Sequence, residues 1–201
     1  MIGAGGHAKV VIEALIANGH HFGQIIARDG NSARQGQRIG EVWIAHPEIE
    51  PAMAGDKAHV AIGSGDVRAK LYARALAIGC HAMTIIHPAA HVSPSAVIGA
   101  GSFIAAGAIV AASAVVGTGC IINHGAVVDH DCIIGAHSHV APNATLGGGV
   151  TLGENVMVGA GAVILPGLSV GANSLIGAGA VLTRSIGAKQ IWFGNPAVEQ
   201  A

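Results

Sequence analysis

The chain has 201 residues and a formal charge of −1; 51% of it is hydrophobic, yet only 3% is aromatic and there are 31 glycines. That length allows one large domain or two small ones, and the near-zero charge gives no electrostatic basis for binding nucleic acid or an anionic membrane. Three scattered cysteines (Cys80, Cys120, Cys132) exclude a disulfide framework and show no CxxC metal spacing, so reduced thiols are expected.

Glycines and polar residues interrupt every apolar run, so no transmembrane helix is predicted. The start, "MIGAGGHAKVV", lacks the basic stretch and cleavage site of a signal peptide, and a cytoplasmic protein is expected. Met1 and Ile2 read as the end of a strand, followed by a glycine turn and an amphipathic helix from about His7 to Asn18. "GQIIAR" and "HVAIGS" read as two further strands. "DVRAKLYARALAIG" reads as a helix with an apolar stripe at Val67, Leu71, Ala75 and Ile78. Alternating strands and helices imply a small Rossmann-like parallel α/β domain over residues 1–84.

"GAGGHA" (Gly3 to Ala8), between a strand and a helix, is a phosphate-binding signature. Its glycines permit close backbone approach, and the helix start offers N–H groups with a positive dipole end. It matches GxGxxA, with Asp29 placed some twenty residues on, where a carboxylate reaches a ribose hydroxyl. Glycines alone leave NAD and a uridine nucleotide both open.

From Ile85 the chain divides into seventeen uninterrupted hexads ending at Ile186, each with Ile, Val or Leu in its second place, from Ile86 to Leu182. A period of six suits neither an α-helix nor an alternating strand. It suits a parallel β-helix over residues 85–201, each hexad forming one flat side and three hexads one coil. Only Asp129, Asp131, Glu154 and Arg184 are charged between residues 85 and 186, so the prism faces are expected to be covered by sister subunits.

Within the hexads, "INHGAVVDHDCIIGAHSHV" (residues 121–139) holds four histidines and two aspartates. His124 and His130 take the fourth place of consecutive hexads, and His139 opens a later one. An imidazole with a pKa near neutrality can accept a proton from an amine or hydroxyl, and a neighbouring carboxylate can fix its tautomer. His130 with Asp131 fits that requirement best, provided the coil corner breaks the strand alternation that would point the two apart. Zinc is not expected: the γ-class carbonic anhydrases carry histidines five apart, whereas His124 and His130 are six apart and Asp129 follows Val128.

Uninterrupted hexads, the amino-terminal "GAGGHAKVV" and the central histidine stretch together resemble the PglD/NeuD-like bacterial sugar acetyltransferases, left-handed β-helix enzymes. The closing "WFGNPA" (Trp192 to Ala197) is similar to their G-x-P-A ending. The resemblance implies an acetyl-CoA-dependent N-acetyltransferase acting on a UDP-linked 4-amino-4,6-dideoxysugar, working as a homotrimer with sites between subunits. O-acetylation of sialic acid or another sugar is the alternative. By position it makes His130 the general base, with Asp131 its partner and Asn123 and Asp129 close by. It places His139 by the acetyl thioester, with Gly148 offering a backbone contact, and lines the uridine-nucleotide pocket with Gly5, Gly6, His7, Asp29, Ile62 and Gly63. In the aminosugar N-acetyltransferases "HEC" is expected where this chain has "HDC", and the shorter Asp131 has less reach toward the imidazole.

Overall fold

The computed structural model describes residues 1–200. Its amino-terminal sheet is ordered His81–Ala82, Lys57–Ala58, Ile2, Ala27–Arg28, Val42–Ala45 and Arg38–Ile39, parallel throughout except for the last pair. Ile2 joins this sheet through single bridges to Val60 and Arg28. Helix α1 spans Gly6–Ala17 and helix α2 spans Gly65–Ala77.

The expected strands are shorter than they read. Only Ala27–Arg28 of "GQIIAR" pairs as a strand, because Phe22–Gln24 forms a 3-10 turn. In "HVAIGS" the pairing reduces to Val60, and the strand itself is Lys57–Ala58. The stripe of α2 also differs: Val67 is 43% exposed, and the buried residues are Arg68, Leu71, Tyr72 and Ala75. The buried face has turned by one residue because α2 packs against the backbone edge of the second structural unit rather than only against its own sheet.

That unit is a β-helix beginning at Ile85–Ile86. Every hexad contributes a two-residue strand, and partners pair in parallel eighteen residues apart, as in Ile121↔His139 and Val127↔Thr145. Three faces result. The first holds Phe103–Ile104, Ile121–Ile122 and His139–Val140; the second holds Ile109–Val110 and Val127–Val128; the third holds Val115–Val116 and Ile133–Ile134. The second residue of each strand points inward, so Ile104, Val110, Val116, Ile122, Val128, Ile134 and Val140 stack into one dry core. Each such burial contributes roughly 1.5–3 kcal/mol, which a chain poor in rings supplies by repetition.

From 101 to 179 the fifth residue of every hexad has positive φ. Glycine fills most of these places, and Ser113, Asp131, His137, Asn143, Asn155 and Asn173 the rest, so Asn makes up half of the non-glycine set, with Asp and His beside it, as expected for left-handed backbone. Sixth-place side chains close the corners: Ser102 Oγ donates to the Gly117 carbonyl at 2.8 Å and Cys120 Sγ to the Gly135 carbonyl at 3.2 Å. Burial pushes the Cys120 thiol up to about 11, which keeps it a protonated structural group.

The amino-terminal unit sits on the first face. Helix α1 residues Ala8, Val11 and Ile12 share a core with Ile85, Phe103 and Ile121. Helix α2 lies along the edge between the third and first faces, where Tyr72 Oη donates to the Gly101 carbonyl at 2.6 Å. A Cβ at Gly101 would fall 2.5 Å from the Tyr72 ring, so this close approach requires glycine there. No described helix is long and apolar enough to cross a membrane.

Candidate active site

His130 occupies the edge between the second and third faces, just after Val127–Val128. Its backbone N–H donates to Asp129 Oδ1 at 2.7 Å, and its Nδ1 lies 2.8 Å from Asp131 Oδ2. The contact depends on the backbone: Asp131 has φ +60, and this left-handed turn folds its side chain back onto its neighbour instead of away from it. An ionised carboxylate only accepts, so Nδ1 carries the proton and Nε2 is left as the basic atom. The hydrogen bond to Asp131, then the charge of Asp129, holds the imidazole above its ordinary pKa. Both side chains are open to solvent, 61% and 65% exposed. Gly148, one coil further on, lies against the ring, and a Cβ there would come 2.5 Å from Nε2.

Asn123 and His139 form a separate pair. Asn123 Nδ2 and His139 Nε2 are 3.1 Å apart at the border of the first face. Burial, then the charge of Arg68, lowers His139 to about 4. In this chain Asn123 and His139 therefore stand with the amino-terminal unit, on a different side of the prism from His130, Asp131, Asp129 and Gly148.

All six residues expected at a nucleotide pocket line one cavity of about 320 Å³: Gly5, Gly6, His7, Asp29, Ile62 and Gly63. His7 is the second residue of α1 and stands edge-on to Phe103, with ring centroids 5.3 Å apart. Burial, then Arg68, brings it to about 4, and its Nε2 has no partner among the described residues. Asp29 is not free: Oδ1 accepts from the Asn31 N–H at 2.9 Å and Oδ2 from Arg34 at 2.7 Å. Arg34 and Glu48 also line the cavity, and the sequence reading missed both. They come from short irregular segments without a motif; only the proximity of Arg34 to Asp29 along the chain hinted at the first. Among the described residues, no group of three or more His, Cys, Asp or Glu is arranged to hold a metal ion.

Comparison with known proteins gives two family matches. Residues 1–75 match the PglD N-terminal domain, and residues 113–148 and 149–184 match the bacterial transferase hexapeptide (six repeats). Perosamine N-acetyltransferase from Caulobacter crescentus, as a histidine-to-asparagine variant in complex with CoA and GDP-perosamine, superposes with a TM-score of 0.93. It is 36% identical, covering 99% of this chain and 94% of its own. The acetyltransferase domain of PglB from Neisseria gonorrhoeae, in complex with acetyl coenzyme A, gives 0.89 at 38% identity, covering 98% and 96%. WeeI from Acinetobacter baumannii, 23% identical with a TM-score of 0.88, shares the fold over 98% and 97% of the two chains. No curated protein matches the chain by sequence.

Proposed function

The chain belongs to the PglD-like sugar N-acetyltransferases, left-handed β-helix acyltransferases that use acetyl-CoA as co-substrate, and from that premise we propose that His130 is its general base, acting on the amine of a nucleotide-linked sugar. The observation that carries this reading is the 2.8 Å contact of His130 Nδ1 with Asp131 Oδ2 on a solvent-exposed ring. Nε2 takes the proton from the sugar nitrogen as that nitrogen forms its bond to the thioester carbon. The carbon–sulfur bond breaks, and the proton leaves with the CoA thiol, so no protein nucleophile is needed. Asp131 steadies the imidazolium. The Gly148 N–H, which donates to no backbone acceptor among the described residues, is available for the developing oxyanion.

The acceptor is held by the cavity beside α1. The α1 amino terminus and the glycines before it suit a diphosphate, and His7 Nε2 has a hydrogen bond left to make. We take the substrate as a UDP-linked 4-amino-4,6-dideoxysugar. A GDP-linked sugar is the second reading, favoured by the complex of the Caulobacter enzyme with GDP-perosamine.

Because His130 and the cavity lie on different sides of one prism, the site is completed by a second copy. Exposed Val97, Val115 and Ile133 form an apolar stripe on the third face, beginning at the His130 edge, and support a homotrimer packed through it. The test is CoA thiol release from acetyl-CoA with UDP- and GDP-linked amino sugars and free sialic acid, on wild type and His130→Ala. The variant is expected to lose about 10²–10⁴-fold in kcat. Wild-type kcat in the variant removes His130 as base, and release with sialic acid alone replaces the amine by a hydroxyl acceptor.

A further inference from the structure

Arg68 heads the fully buried side chains in size and is 1% exposed. No carboxylate pairs with it among the described residues. Its donors go to main-chain carbonyls: Nε to Gly119 at 2.6 Å, Nη1 to Ile62 and Gly63 at 2.8 Å each, and Nη2 to His137 and, at 3.4 Å, Ser138. A buried cation is tolerated only when its N–H groups are met, and here carbonyls meet them. Burial brings the guanidinium down to about 10, so it remains charged at neutral pH.

The acceptors come from two places that the chemistry must align. Ile62 and Gly63 line the nucleotide cavity, whereas His137 and Ser138 lead directly into His139. A trans peptide is planar, so its N–H points opposite its carbonyl. With the Ile62 and Gly63 carbonyls turned to Nη1, the N–H groups of Gly63 and Ser64 point the other way. Neither donates to a backbone acceptor among the described residues.

We propose that Arg68 is a positioning residue for acetyl transfer: it sets the Gly63 and Ser64 N–H groups toward the acceptor and holds that loop in register with His139. The inference rests on the nucleotide-sugar reading of the cavity. Lysine would not replace it, because a single ammonium cannot span acceptors on both structural units as a planar fork does.

The experiment compares wild type, Arg68→Lys and Arg68→Ala in steady state, varying each substrate separately, with and without guanidinium ion, and records the melting temperature of each. In Arg68→Lys the KM for the sugar nucleotide is expected to rise about tenfold or more while that for acetyl-CoA stays within about twofold. Guanidinium is expected to lower the raised KM of Arg68→Ala. Unchanged KM values with only a lower melting temperature and a smaller active fraction overturn the proposal, as does an equal rise for both substrates. Should Arg68→Ala not fold, Arg68→Lys decides. Failure of the wild type to turn over any nucleotide amino sugar strikes the nucleotide-sugar reading instead, so the two failures are distinguishable.

Discussion

Lowering the pH from 7.5 toward 4.5 forces protons onto histidines that this fold keeps neutral. His7, His59 and His139 are each brought to about 4 from an ordinary 6.5, burial being the largest cause in every case. Their folded values lie below their unfolded ones, so above 6.5 they add nothing to the pH dependence. Between 6.5 and 4 the unfolded chain binds protons that the folded chain refuses, and stability falls as the pH falls. Each histidine costs about 2–4 kcal/mol over that window, and with three in play the slope reaches about 4 kcal/mol per pH unit. The total is comparable with the whole stability of a typical domain, about 5–15 kcal/mol. His59 shows why: Nδ1 is committed to the Met83 carbonyl at 2.9 Å, and a proton added to buried Nε2 would find no acceptor. Urea unfolding at fixed protein concentration from pH 7.5 to 5 measures the slope, and His59→Gln should reduce it by about one third. Stability that is flat below 6.5, or an NMR titration of His59 near 6.5, would refute the reasoning.

Asp131→Asn removes the largest influence raising His130, so the acid limb of kcat/KM should move to lower pH while the plateau falls by about tenfold; a limb that stays in place counts against the pair. Gly148→Ala places a β-carbon 2.5 Å from His130 Nε2 and must displace the ring. It should cost about 10–100-fold in kcat with little change in melting temperature, since the edge is solvent-exposed, and unchanged kcat would show that the ring position is not critical.

The β-helix was legible because its cause is periodic. An inward aliphatic residue every six positions admits one arrangement, and the second place of the hexads is the core that forms. The corner was legible only in part. Flat sides of one hexad each implied a corner between them, but the left-handed backbone falls on the fifth place, where Asp131 and His137 stand, and that conformation brings Asp131 to His130 despite its short side chain. The amino-terminal unit was less legible because its strands are two residues long and carry no alternation. The hairpin of Arg38–Ile39 and Val42–Ala45 went unread for that reason. Helix periodicity placed Val67 in the buried stripe and left out Arg68. A face that packs on main-chain carbonyls needs a donor rather than an apolar side chain, and hydrophobic patterning cannot register that.

Electrostatics also separates the histidines of "INHGAVVDHDCIIGAHSHV" by role. A general base must gain a proton and lose it within each turnover without disturbing its surroundings. His139 is held to about 4 and His137 below its ordinary value, both chiefly by burial and then by Arg68. A proton on either would bring a second cation toward the buried Arg68 guanidinium. His130 differs in sign and in setting: it is raised rather than lowered, a carboxylate is ready to stabilise its charge, and solvent reaches the ring. Proton uptake there perturbs no buried contact. Protonation of His139 would charge a ring whose Nε2 stands 3.1 Å from Asn123 Nδ2. At neutral pH His139 is therefore suited to hold and orient through hydrogen bonds, and His130 to exchange the proton.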